Sequence, residues 1–300
     1  MLRRTRGHGR DQAAGLRALV STPCCRSISI AGGRGEAGAT TLAVNLAAAL
    51  AQRSREVLVL DEFSGLSNVS HRLRLNPAYS LEQVLRREAM LADALLDSGR
   101  GFAVLPIAAR PQTLASLNER EQRRLGAEFE QLAAAADFLL LDACPATGPA
   151  VPSLSLAADD ILIVLTNRAE SLTDAYATIK LLFTEYARHD FRILANRTAN
   201  LEEAAALFGR IREVARNYLG HGIKLKLVGF VPEDARLNRA THLGQTVLEA
   251  FPDSESATAF RQLADVMLRW APPRQPSDTP ATFMHRLIES SRLLSEQLGH

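Results

Sequence analysis

An α/β fold, a mostly parallel twisted sheet with helices on both faces, follows from three features of the sequence. Short apolar runs of strand length recur from residue 26 onward, with amphipathic helical patterns between them. The runs are apolar throughout instead of alternating, as strands covered on both faces are. Several end on polar residues, Asp61, Asp142, Thr166 and Asn196, at the strand ends where ligands sit in such sheets.

The first run, Ser27-Ile28-Ser29-Ile30, enters the glycine-rich stretch Gly32-Gly33-Arg34-Gly35-Glu36-Ala37-Gly38-Ala39-Thr40-Thr41. Residues 42–50 then read as a helix. A strand, a glycine turn and a helix N-terminus together make an anion site, because backbone N–H groups approach the ligand and the helix dipole favours negative charge. Further strands are expected over 57–60, ending at Asp61, and over 102–106. Others fall over 138–141, ending at Asp142, over 161–165, over 191–195, ending at Asn196, and over 225–230, before Val231-Pro232. Helices are expected over 172–186 and 201–218.

The two ends read differently. Residues 1–10 carry Arg3, Arg4, Arg6 and Arg10 without an acid, and no apolar stretch follows, so they are not a secretory signal. Asp11 is placed to cap a short helix over 12–20 with Ala14, Leu16, Ala18 and Leu19 on its apolar side, and Ser21-Thr22-Pro23 ends it. Such a segment either caps the domain or serves as bait for a partner. The stretch 271–278 is a proline-rich linker. Beyond it Phe283, Leu287, Leu294 and Leu298 share a helical face with Met284 and Ile288, and His285, Glu289, Arg292 and Glu296 lie opposite. This amphipathic helix fits a docked helix, a partner groove or a membrane surface, and its mixed polar face is not the Lys/Arg face membrane helices favour. The domain division is thus a tail (1–25), a domain (26–270), and a linker with a terminal helix (271–300).

Bulk properties set bounds. The chain has 300 residues and a formal net charge of +2, so no global electrostatic argument points to nucleic acid. Its three cysteines, Cys24, Cys25 and Cys144, form neither a disulfide framework nor a zinc spacing, which fits a reducing cytoplasm. No apolar run approaches the roughly twenty residues of a membrane span.

The glycine stretch admits three chemistries. Gly33, Gly35 and Gly38 spell G-x-G-x-x-G with Asp61 about twenty residues on, a dinucleotide fingerprint. The same stretch spells a phosphate loop ending in Gly38-Ala39-Thr40-Thr41, with alanine where the lysine belongs. It also fits an ordinary βα turn. Asp142 after its apolar strand suits the magnesium-holding aspartate of the second reading, with Thr40 as the direct ligand.

The motifs together resemble the MinD/ParA family of deviant Walker ATPases, and within it the FlhG (FleN) flagellar-number regulators, over about residues 26–270. Residues 34–41 resemble the family loop K-G-G-x-G-K-T-T. Asp61 to Asn68 resembles the switch D-x-D-x-G-x-x-N, and 142–146 resembles D-x-x-P-A. Asp174-Ala175-Tyr176-Ala177-Thr178-Ile179-Lys180 matches D-A-Y-x-x-I-K. Asn196-Arg197 and Gly229-Phe230-Val231-Pro232-Glu233-Asp234 resemble the pair and the loop near the adenine. Asp11, Gln12, Leu16 and Arg17 fall in a segment similar to the family's D-Q-A-x-x-L-R.

The resemblance implies a P-loop NTPase fold. It implies ATP and Mg²⁺ held by Gly33, Arg34, Gly35, Gly38, Ala39, Thr40, Thr41, Asn196, Arg197 and Pro232, with Thr40 and Asp142 at the metal and a switch marked by Asp61, Phe63 and Asn68. It implies stimulation of an FlhF-type GTPase by Asp11, Gln12, Leu16 and Arg17. Flagellar switch-complex or transcription-regulator partners and a homodimer are also implied, with no direct nucleic-acid contact. Phe283, Leu287, Ile288 and Leu294 would form a nucleotide-controlled anchor, giving a cytoplasmic protein peripheral to the inner face of the membrane. Three departures touch the chemistry. The loop lysine is Ala39, the signature lysine is Arg34, and the water-positioning aspartate is Phe63. Glu36 adds a repelling carboxylate. The expectation is a pseudo-ATPase with weak or absent hydrolysis. The alternatives are an active ParA/MinD-type positioning ATPase and an NAD-binding oxidoreductase.

Overall fold

The apolar runs form the strands of a single sheet. In this computed structural model the described residues are 25–32, 37–62, 68–107, 111–143, 153–271 and 279–298. The described residues open with β1 (Arg26–Gly32), α1 (Ala39–Ala51), β2 (Val57–Asp61), α2 (Val69–Arg72) and α3 (Leu81–Leu85). It continues with β3 (Leu96–Asp97), β4 (Ala103–Pro106), α4 (Pro111–Ala115), α5 (Glu119–Ala133), β5 (Phe138–Ala143) and α6 (Ser153–Ala157). Then come β6 (Asp160–Leu165), α7 (Ala169–Thr184), β7 (Asp190–Thr198), α8 (Leu201–Leu219) and β8 (Lys224–Pro232). The last elements are α9 (Ala235–Leu243), α10 (Val247–Ala250), α11 (Glu255–Met267) and α12 (Pro280–Leu298).

Among the described residues the sheet has eight strands in the order β3-β4-β2-β5-β1-β6-β7-β8. All pairings are parallel except β3 with β4. The two-residue edge strand β3 was not expected, since it is too short to leave a periodic signal. Alternate residues of each strand serve opposite faces, which is why the runs are apolar throughout. Val57 and Val59 pack with Leu42, Leu46 and Phe260 on the α1 and α11 side. Leu58 and Leu60 pack with Leu125 and Phe129 of α5 on the other.

The strand order decides between two of the chemistries. In the dinucleotide fold β1 and β2 are neighbours, so the acid after β2 reaches the ribose bound at the β1 turn. Here β5 lies between them, pairing with both. The oxidoreductase reading is therefore corrected: this sheet puts Asp142, not Asp61, on the strand that adjoins the glycine turn.

The terminal helix α12 lies against the domain. Phe283, Met284, Leu287 and Ile288 join the cluster that holds Phe129, and the Phe283 and Phe129 ring centroids are 5.8 Å apart. Leu294 joins the neighbouring cluster with Ile161 and Ile163. Arg286 donates from Nη2 to Asp159 Oδ1 at 2.9 Å, and the other oxygen of Asp159 takes the Ser27 N–H and hydroxyl at 2.9 and 2.7 Å. The apolar face expected for lipid is thus inside the protein in this conformation. The helix follows the expected pattern, with His285 and Glu289 outward; Arg292 is half-buried and donates to the Leu117 carbonyl at 3.2 Å. No helix among the described residues is long and apolar enough to cross a membrane.

Candidate nucleotide site

The site is built where β1 hands over to α1. Gly38 is the N-cap of α1 with φ of 87°, a left-handed conformation that favours glycine. A Cβ there would stand 2.8 Å from Asn196 Nδ2. The helix therefore begins at Ala39, three residues before the apolar run that announces it. Gly38 has no side chain to cap the first-turn amides, and the first turn carries no acid. A 13-residue helix with its N-terminus left in this state suits an anion.

Register brings the acids together. Asp61 and Asp142 are direct cross-strand partners at the ends of β2 and β5, and Ile30 of β1 pairs with Asp142 on the other side. Both carboxylates are fully buried. Asp61 Oδ2 accepts the Val69 N–H at 2.8 Å, which ties the end of the switch to β2. Asn68 caps α2 by accepting the His71 N–H at 2.7 Å. The oxygens of Asp142 have no partner of ordinary hydrogen-bond geometry among the described residues, although the Thr40 hydroxyl lies near. Burial raises the Asp142 carboxyl well above the usual carboxylate range and the Asp61 charge adds to this. The Thr40 hydroxyl and the Arg72 charge oppose the shift, and Glu62 reinforces it.

An orphaned, buried carboxylate beside a buried threonine hydroxyl is a hard-oxygen donor pair, and it fits Mg²⁺. Among the described residues no group of three acids, histidines or cysteines could hold a metal by itself. Mg²⁺ takes one or two protein oxygens and completes its shell with waters and nucleotide phosphates. Thr40 and Asp142 would hold it.

On the far side, β7 delivers Asn196 and Arg197. The pairing of β7 with β8 slips between Asn196 and Thr198, and the extra residue, Arg197, has φ of 57°. This bulge carries the strand past its expected end at Asn196 and turns Arg197 to solvent. Asn196 is buried; its Nδ2 donates to the Ala37 carbonyl at 2.7 Å and its Oδ1 accepts the Arg197 N–H at 3.0 Å. Its amide thus clamps the loop. Gly38, Thr41, Asn196, Arg197, Pro232 and Asn238 share one cleft. Asp234, from the loop expected near the base, caps α9 through the Arg236 N–H at 2.8 Å and accepts the Ser256 hydroxyl at 2.7 Å. Burial pushes its carboxyl up, but these bonds outweigh it and hold it below its ordinary value.

The structure thus brings together Gly38, Ala39, Thr40, Thr41, Asp61, Asp142, Asn196, Arg197 and Pro232. Gly33, Arg34, Gly35, Glu36 and Phe63 lie outside the described residues, as do Asp11, Gln12, Leu16 and Arg17. Two participants were missed. Asn45 donates to the Thr41 carbonyl at 2.8 Å and accepts the Val247 N–H at 2.8 Å, joining α1 to α10. A lone amide in an Ala/Leu-rich helix was the available signal. Arg72 donates from Nη1 to Thr41 Oγ1 at 3.2 Å, and nothing in the local sequence marks it.

Comparison with known proteins shows the family. A family model described as an AAA domain matches residues 25–193. The chain is 34% identical to the antiactivator FleN of Pseudomonas aeruginosa over 262 residues, covering 87% of this chain and 93% of FleN. It is 23% identical to the flagellum site-determining protein YlxH of Helicobacter pylori over 241 residues, covering 80% and 81% of the two chains. The septum site-determining protein MinD of Pyrococcus horikoshii, complexed with Mg-ADP, superposes with a TM-score of 0.60 at 23% identity, covering 82% of this chain and 96% of that one; this likeness speaks for the fold alone. With the strand order, the loop and the FleN likeness in agreement, the chain belongs to the MinD/ParA family of P-loop ATPases, in its FleN/FlhG branch.

Proposed function

We propose that the chain is an FlhG-like regulator of flagellar number and placement that acts on an FlhF-type GTPase and hydrolyses ATP weakly or not at all. The observation that carries the reading is the likeness to FleN across nearly the whole of both chains. The loss of hydrolysis rests on Ala39 in place of the loop lysine and Phe63 in place of the switch aspartate. Phosphoryl transfer depends on charge neutralisation and positioning, so losing both groups removes several orders of magnitude in rate. Thr40 and Asp142 support retained Mg²⁺ binding when nucleotide is present, and the nucleotide and its metal would supply the phosphate chemistry. Asp11, Gln12, Leu16 and Arg17 would be the contact with the GTPase. Release of α12 would be required before Phe283, Leu287, Ile288 and Leu294 could meet lipid, and a nucleotide-bound homodimer is the state in which to look for it. Flagellar switch-complex and transcription-regulator proteins are the further partners this reading names.

A GTPase assay with a peptide covering residues 8–22 tests the main claim. Stimulation by the peptide, and its loss in the full chain on Gln12→Ala, is expected; no stimulation removes the mechanism. Steady-state ATP turnover at an ordinary rate that vanishes in Asp142→Ala would refute the loss of hydrolysis. That result would favour the second reading, an active ParA/MinD-type positioning ATPase, for which the retained Thr40 and Asp142 speak.

A further inference from the structure

The site keeps its magnesium donors and its glycine cradle but has no cation at Ala39. A polyphosphate bound there loses the positive charge that a lysine at that position would bring, beside the buried pair Asp61 and Asp142. We propose that Arg72, supplied by α2, provides the positive charge to the phosphates that Ala39 lacks; the proposal rests on the reading that this cleft binds a nucleotide.

Several placements carry it. Asp61 holds the Val69 N–H and Asn68 caps α2, so the start of α2 is tied to the end of β2. Arg72 is the last residue of that short helix and is half-buried. Its Nη1 reaches Thr41 Oγ1 in the first turn of α1, the helix whose N-terminal amides form the cradle. Its field reaches Asp142, where its charge opposes the upward shift that burial gives that carboxyl. Arginine is suited to this role from a distance. Its long stem reaches across from a neighbouring element, and its planar fork can bind two phosphate oxygens at once. A lysine at position 39 would approach from the loop; Arg72 approaches from α2, whose start Asp61 holds to the end of β2.

Four chains decide the matter: wild type, Arg72→Gln, Ala39→Lys, and the double variant. Glutamine keeps a donor toward Thr41 but carries no charge; Arg72→Ala is the second variant if Arg72→Gln does not fold, as judged by thermal unfolding. The readout is equilibrium binding of ADP with Mg²⁺, by calorimetry or a fluorescent analogue. Arg72→Gln is expected to weaken binding roughly ten- to hundredfold, and Ala39→Lys added to it should restore binding. Unchanged binding in Arg72→Gln overturns the proposal. So does weakened binding that Ala39→Lys fails to restore, since Arg72 would then act by holding Thr41. If the wild type does not bind but Ala39→Lys does, the proposal falls and the nucleotide reading of the cleft stands. If neither binds, both fall.

Discussion

Replacing Phe283 by alanine tests how α12 is held. The Phe283 side chain is 2% exposed and lies against Phe129, within a cluster that also contains Leu125, Leu287 and Ile288. Removing a buried phenylalanine ring from a core costs about 3–5 kcal/mol. In the middle of a domain that loss would fall on global stability. At the last helix it need not, because α12 can leave while the sheet stays folded. The loss then appears as local opening, and its ceiling is the free energy that docks the helix. A change of about 3–5 kcal/mol corresponds to a fall in amide protection of roughly two to three and a half powers of ten. Hydrogen exchange read by mass spectrometry on peptides from 280–298 measures this directly. The expected result is faster exchange in α12 of about that size, capped where the helix becomes fully open, with α1 unchanged. Exchange in α12 altered by less than about threefold would refute the packing argument. A parallel loss of protection in α1 would refute the idea that α12 opens as a separate unit.

Three further outcomes follow from the site. Gly38→Ala forces a Cβ onto a backbone at φ 87°, costing about 1–2 kcal/mol, and places it 2.8 Å from Asn196 Nδ2; thermal melting should drop by a few degrees and nucleotide binding should be lost, and wild-type binding would show that phosphates do not use this loop. Asp142→Asn removes a buried, unpartnered carboxylate that faces Asp61, so without nucleotide at pH 7 it should gain about 1–2 kcal/mol in urea unfolding while losing the stabilisation that Mg²⁺ and ATP add; a less stable apo variant would mean that the carboxylate is better satisfied than its surroundings indicate. Asp234→Ala removes the α9 cap, a loss of about 1 kcal/mol. The folded-state value of Asp234 is depressed, so its contribution is present above the unfolded carboxylate value of about 3.9 and is lost as pH falls through the folded one. The difference between variant and wild type in urea melts should therefore be full at pH 7 and shrink below pH about 4; a difference independent of pH would assign the effect to packing.

The local chemistry of the chain was enough for much of this. Val57, Leu58, Val59 and Leu60 read as a two-faced strand because every second side chain meets a helix layer, and that pattern needs only neighbouring residues to be seen. Gly38 announced a turn because its backbone demands glycine whatever surrounds it. Thr40 and Asp142 could be paired on paper by their chemistry. Packing was needed for the rest. The same Gly33, Gly35, Gly38 and Asp61 spacing suits two folds, and only the insertion of β5 between β1 and β2 separates them. Asn196 meets Ala37 across 159 positions, and Arg72 meets Thr41 from another element; periodicity carries no trace of either. The terminal helix shows the limit most plainly. An apolar stripe of Phe283, Leu287, Ile288 and Leu294 is satisfied equally by lipid, by a partner or by its own domain, because the hydrophobic effect is not directional. Which of them covers it depends on the shape of the surface beside it, here the one formed around Phe129, Leu125 and Ile161.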